Sequence, residues 1–399
     1  MTAESSLKKE YNNIMRACFI AYVIQAIVNN FIPLLFVTFE REYGINLTKI
    51  TFLITINFAL QIFVDFFSAY IIPVIGYKIA IIAAHVFSAA GLILMSFLPD
   101  LSGNPFVGLL ICISVYAIGS GLIEVAISPV VNACPSDNKE AAMSLLHSFY
   151  CWGHAITVLL SVIYFKLFSI NNWRILALLW AIVPIVNMIP FVVNKFDAIE
   201  EHNDGGMTVT ELLKNRLFYV LLLMMICSGA SEQAVSQWAS AFAEQGLHVS
   251  KMVGDILGPM CFAITMGTSR AIFGKVSDKI NLNKYIVLSC ILCVISFMVV
   301  VFAKNPMISL VGCMMTGFSV GIMWPGTYTK AATAIPDGKT SLFAILALGG
   351  DVGCASGPTL AGIVSGHFND NLRYGILAAV IFPVTLLLCV FLLKKKKKI

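Results

Sequence analysis

Residues 105–133 read PFVGLLICISVYAIGSGLIEVAISPVVNA, an apolar run that follows Asn104 and carries a single charged residue, Glu124. Wound as a helix at about 1.5 Å per residue, it is long enough to cross the roughly 30 Å hydrocarbon layer of a bilayer. Runs of the same kind fall near 16–39, 48–73, 78–98, 140–167, 173–194, 215–243, 250–274, 283–303, 306–334, 340–366 and 372–393, so the 399-residue chain holds twelve of them. That leaves about 33 residues for each span and its connection, and no stretch large enough for a separate soluble domain.

Composition agrees with this reading. Hydrophobic residues make up 59% of the chain and charged residues 12%, against roughly 25% charged in a soluble globular protein. A soluble enzyme or a nucleic-acid-binding module is thereby excluded. The net charge of +5 does not signal an anionic partner, because the terminal run Lys394 to Lys398 supplies it; such a run anchors to the cytoplasmic leaflet. The eleven cysteines all fall in or beside apolar runs, where Cys acts as a small hydrophobe, so neither a disulfide framework nor a metal cluster is expected. The polar N-terminus leads into a full-length span and does not read as a signal peptide.

The longest polar stretch, 195–214, contains Gly205-Gly206 and a capping box, Thr208-Val-Thr-Glu211. It divides the chain into an N-terminal six-helix bundle (1–194), a cytoplasmic linker (195–214) and a C-terminal six-helix bundle (215–399) with a polylysine tail. With the N-terminus inside, nineteen Lys and Arg fall on the cytoplasmic side and seven outside, which predicts a multi-pass inner-membrane protein with both termini cytoplasmic.

The halves repeat. Glu42-Tyr-Gly-Ile-Asn-Leu-Thr-Lys49 recurs as Glu244-Gln-Gly-Leu-His-Val-Ser-Lys251, Asn104-Pro105 as Asn305-Pro306, and Gly121, Asp137, Lys139 and Gly153 as Gly321, Asp337, Lys339 and Gly353. Repeats with an even number of spans run parallel, related by an axis along the membrane normal, with a substrate path expected between the halves.

Ionisable groups within spans cost at least a few kcal/mol, so they mark function or a partner. The acids are Asp65, Glu124, Glu232 and Asp351, joined by His147 and His154. Glu124, Ser128 and Asn132 share one helix face, as do Asn57, Gln61 and Asp65, Gln25 and Asn29, Glu232 and Ser236, Gln233 and Gln237, and Trp324 and Tyr328. Such stripes point toward partners or a wet cavity. A lining of Asn29, Asn57, Gln61, Glu124, His147, His154, Glu232 and Gln237 suits a polyhydroxylated solute, with Trp152, Trp238, Trp324 and Tyr328 able to stack on sugar C–H faces. The competing reading of each is helix-to-helix bonding or, for the tryptophans, packing. Protons are the natural coupling ion, since a carboxyl can be neutral when closed in and ionised when wet; Glu124, then Glu232 and Asp351, are the candidates. Arg270, Gly274 and Asp278, at the end of the eighth span, form a candidate gate.

Two short motifs lead nowhere. Asp337-Gly-Lys-Thr340 lacks the first glycine of a phosphate loop, with Thr333 in its place, and Leu348-Gly-Gly-Asp351 has Leu where an intramembrane aspartyl protease needs Gly.

The twelve spans, central link and parallel halves resemble the major facilitator superfamily. Gly274-x-x-x-Asp278-Lys279 is similar to its GxxxD(R/K) loop motif, with Asn281 replacing the second Gly. Within the superfamily, Gly119-Ser-Gly-Leu-Ile-Glu124-Val-Ala-Ile-Ser-Pro129-Val130 resembles the GxGxxExxxxPxV pattern of the fucose permease type of sugar/proton symporters, and Asn29-Asn30 its first-span Asn pair. The family's nearby Asp is replaced at about Pro33. The resemblance implies that Glu124 takes part in sugar binding and proton coupling. The expected function is secondary transport of a small polar solute, foremost a sugar, by proton symport and alternating access. A drug or metabolite exporter of the same fold is the alternative; a membrane-embedded enzyme would need a nucleophile, metal or hydrolytic acid pair, and a sensor an extra domain. The expected partners are the solute, protons and the bilayer, with no nucleic acid and no cofactor, the protein acting as a monomer.

Overall fold

The computed structural model describes residues 3–134, 139–194, 207–276 and 281–396. Lys195, Asp137, Asp278 and Lys279 lie outside the described residues, as do the side chains of Asn132, Lys139 and Lys394. Twelve helical spans are long and apolar enough to cross a membrane: Tyr11–Tyr43, Leu47–Ser68, Tyr77–Met95, Pro105–Val131, Leu145–Phe168, Ile170–Val193, Arg216–Gly246, Lys251–Phe273, Leu282–Phe302, Pro306–Ala334, Ser341–His367 and Leu372–Leu393. No strand occurs among the described residues. The architecture is the all-α, twelve-span one that the apolar runs predict, with ends moved by a few residues.

Local chemistry starts these helices. Asn104 and Asn305, each ahead of a Pro at the first helical position, accept a hydrogen bond from the backbone N–H two residues on, at Phe106 and Met307. The Asn supplies an acceptor for an orphan donor, and the Pro has none to leave unmatched. Thr208 and Glu211 form the predicted reciprocal box. The Thr208 backbone N–H donating to the Glu211 carboxylate holds that exposed acid below its ordinary range.

By contact the chain forms two compact units, residues 1–45 with 59–202, and residues 46–58 with 203–399. The second span thus changes unit between Phe58 and Ala59. Within both units, helices meet backbone to backbone at small residues, since close approach is the main source of attraction between apolar helices in lipid. A Cβ on Gly121 would lie 3.2 Å from the Cα of Gln61, so the fourth span packs directly on the second; a Cβ on Gly321 would lie 2.9 Å from the carbonyl oxygen of Met266, putting the tenth on the eighth. Likewise Gly153 seats the fifth span on Val23 of the first, and Gly353 seats the eleventh on Ile226 of the seventh. The glycines that repeat in the sequence therefore do the same packing work in each unit.

Five spans are interrupted among the described residues, the eighth by a π turn, Ile256–Met260, and the twelfth between Ala378 and Ile381. The first passes through a 3₁₀ turn, Ile32–Leu35, at Pro33. The seventh stops at Ser236, resumes over Ala239–Ala241 and continues as a π turn, Phe242–Gly246. The tenth breaks between Val320 and Met323. Interruptions free backbone groups at membrane depth and are tolerated where protein or a wet cavity satisfies them.

Candidate functional site

In the first unit, Tyr22, Gln25 and Asn29 follow one face of the first span, and Ser120, Glu124 and Ser128 recur every four residues on the fourth. The two rows meet as a ladder. Tyr22 Oη and Ser128 Oγ are 2.9 Å apart. Gln25 Nε2 donates to Glu124 Oε2 at 2.8 Å. Ser120 Oγ donates to Gln61 Oε1 at 2.9 Å and approaches Asn29 Oδ1 at 3.4 Å, while Gln61 Nε2 donates to Asn29 Oδ1 at 3.2 Å. Gln25, Asn29, Gln61 and Ser120 are buried, whereas Glu124 is half-buried. Its carboxylate is the one acid of the ladder, and it keeps a route to the outside of the packed helices.

The fifth span extends this group. The His147 ring stands edge-on to Tyr22, with centroids 5.4 Å apart, and Asn30 Nδ2 donates to Tyr150 Oη at 3.3 Å. His154, two turns beyond His147, is buried, and its Nδ1 finds no hydrogen-bond partner among the described residues. Trp152 is 41% exposed. Asn57, one turn before Gln61 on the same helix, is buried.

In the second unit, Glu232 is paired. Arg270 donates to its Oε2 at 3.1 Å, Gln233 Nε2 donates to its Oε1 at 3.3 Å, and Gln237 Nε2 donates to Gln233 Oε1 at 3.0 Å. Arg270, expected to gate with Gly274 and Asp278, thus reaches back to the seventh span. Gly274 continues the helix Cys261–Val276, and Asp278 lies outside the described residues. Trp238 is fully buried, its indole N–H donating to the Pro358 carbonyl at 3.0 Å. Trp324 is half-buried at the break of the tenth span, and its ring lies where a Cβ on Gly350 would be. Tyr328 stands edge-on to Trp324 at 6.4 Å and packs on Phe343 at 5.3 Å. Asp351, one residue past the Gly350 contact, is buried.

The profile of the Major Facilitator Superfamily matches residues 18–358. The chain belongs to this superfamily. Two solved structures with which this superfamily member shares its fold are the E. coli fucose:proton symporter FucP, at 14% identity and a TM-score of 0.63, and a FucP described as in the outward conformation, at 13% identity and a TM-score of 0.65. In both comparisons 96% of this chain and 99% of the other are covered. No curated protein sequence matches the chain.

A further buried acid, Asp255, stands near the start of the eighth span. Asp255, 1% exposed, pairs through Oδ2 with Lys251 Nζ at 3.1 Å and accepts from Ser240 Oγ through Oδ1. Position near a span end had hidden it, although the four-residue spacing of Lys251 and Asp255 marks an ion pair. Ser120 and Tyr22 were also overlooked; Ser120 stands one turn before Glu124, where the stripe could have been extended.

Proposed function

We propose that this protein imports a small polyhydroxylated solute, a sugar foremost, together with protons by alternating access across the cytoplasmic membrane, with both termini cytoplasmic. The observation that carries the reading is the ladder whose middle rung is Glu124. Amide and hydroxyl groups from three spans converge with one half-buried carboxylate, a set that can exchange hydrogen bonds with hydroxyls and take up a proton. The interruption of the first span just beyond Asn29 and Asn30 supports it, since solute sites in secondary transporters gather at discontinuous helices. The pattern around Glu124 and the shared fold with a fucose:proton symporter point the same way.

Glu232, held by Arg270, and Asp351 are the second-unit candidates for proton coupling; Trp324 and Tyr328 are its candidates for stacking on the solute. Purified protein in proteoliposomes, loaded at pH 7.5 and diluted to an outside pH of 6, tests the reading with radiolabelled monosaccharides. Accumulation above equilibrium that collapses with a protonophore is expected. Equal uptake with and without the pH gradient, for every sugar that enters, contradicts proton coupling.

A further inference from the structure

A groove of about 370 Å³ runs between the start of the first span and the end of the sixth, wholly within the first unit, lined by Asn13, Arg16, Ile20, Asn187, Ile189 and Val193 among others. Asn13 and Arg16 stand in the first turns of a span that begins at Tyr11, and Val193 closes a span that began at Ile170. Both therefore mark the same membrane face, at headgroup depth. Ile20 and Ile189, one turn further in than Arg16 and Val193, are exposed along the groove, as is Val193, so its lateral wall is open and apolar.

The inner wall is fixed. Asn187 Nδ2 donates to the Ala17 carbonyl at 3.0 Å and to His85 Nε2 at 3.0 Å, while His85 Nδ1 donates to the Ile81 carbonyl at 2.7 Å. The rim is positive. Arg16 is exposed and makes no hydrogen bond or ion pair with any described residue. Beside the rim, Lys78 Nζ donates to the carbonyls of Val192 and Asn194, each at 3.0 Å, bringing a second cation to the end of the sixth span.

We infer that this groove holds one anionic phospholipid, its phosphate on Arg16 with Asn13 beside it and an acyl chain along Ile20, Ile189 and Val193. An apolar trough that opens sideways in a membrane-spanning helix pair is covered by hydrocarbon, and a lone guanidinium at its head selects the lipids that carry net negative charge. Arg adds directed donors to that selection, which suits phosphate oxygens. A basic residue close to an anionic lipid surface contributes about fivefold in affinity.

Native mass spectrometry of the full chain, titrated with dioleoylphosphatidylglycerol or dioleoylphosphatidylcholine, tests this. One phosphatidylglycerol adduct is expected in preference to phosphatidylcholine, with affinity lowered about fivefold by Arg16→Gln and largely restored by Arg16→Lys. Ile189→Trp, which keeps the charge and fills the trough, is expected to remove the adduct; it also serves if Arg16→Gln does not yield monodisperse protein. Equal retention of the two lipids, an unchanged adduct in Ile189→Trp, or displacement of the lipid by millimolar inorganic phosphate with no requirement for acyl chains would overturn the assignment.

Discussion

Arg270 and Glu232 form a buried ion pair at 3.1 Å between the eighth and seventh spans, both side chains almost closed to the outside. The pair couples a residue that sequence placed in a cytoplasmic gate to one that it placed in the solute site. Removing either partner leaves an uncompensated charge in low dielectric, a loss of about 3–5 kcal/mol, whereas removing both costs less than the sum. Arg270→Gln and Glu232→Gln are each expected to lower thermal stability clearly in detergent, and the double variant to recover part of the loss. Additive losses in that cycle would show that the two side chains do not act as a pair.

Trp238 and Trp324 separate by burial. Trp238→Ala empties a fully enclosed site and removes the indole hydrogen bond to the Pro358 carbonyl, so several kcal/mol of stability are lost. Trp324→Ala, at a half-buried position beside the break of the tenth span, is expected to weaken solute binding about fivefold with a smaller stability change, since stacking contributes on the order of 1 kcal/mol. Paired melting curves and binding isotherms distinguish them; equal affinity in Trp324→Ala and the parent protein removes that ring from the solute site.

Asp100 closes another network in the first unit. Arg174 donates to its two oxygens at 2.7 and 2.9 Å, contacts Glu42 and packs 4.5 Å from the Trp173 ring, while Tyr43 Oη donates to Asp100 at 2.8 Å. The ends of the first span, the third connection and the start of the sixth span are thereby tied together. Hydrogen bonding from Arg174 holds the Asp100 carboxyl below its ordinary range. A depressed folded-state value means that the stabilisation is present above the unfolded value near about 3.9 and is lost as pH falls through the lower folded one. Asp100→Asn is expected to melt lower than the parent at pH 6 and to converge with it toward pH 3. Parallel melting curves over that range would contradict the account.

The glycines at span crossings predict a graded series. A Cβ on Gly353 would lie 2.0 Å from the Ile226 carbonyl oxygen, whereas on Gly366 its nearest neighbour would be Thr48 Oγ1 at 3.4 Å. Gly353→Ala is expected to prevent folding or to cost more than the 1–3 kcal/mol that is roughly typical of overpacking, and Gly366→Ala to be close to neutral. Fluorescence-detected size exclusion of tagged variants reads both; a monodisperse, fully stable Gly353→Ala would refute backbone-level packing of the seventh and eleventh spans.

The spans and the repeat were legible in the sequence because both rest on one-dimensional signals: apolar length, and glycines such as Gly121 and Gly321 that recur at one offset. The stripe holding Glu124 was legible by helical spacing, and so was Gln25 with Asn29. Their mutual pairing was not, because spacing fixes a face but not which face of another helix it meets. The break of the first span had a cue in Pro33. That of the seventh, at Gln237 and Trp238, has neither Gly nor Pro to announce it, and no one-dimensional signal showed that the Trp238 ring is enclosed. The pairing of Arg270 with Glu232, 38 residues away, was not legible, because Glu232 was visible only as a separate acid.

The central claim is that Glu124 links solute binding to proton movement. Glu124→Gln keeps the Gln25 contact geometrically possible and removes the exchangeable charge. In proteoliposomes this variant is expected to lose pH-gradient-driven accumulation while retaining solute exchange at equal pH. Undiminished uphill accumulation by Glu124→Gln would contradict the account.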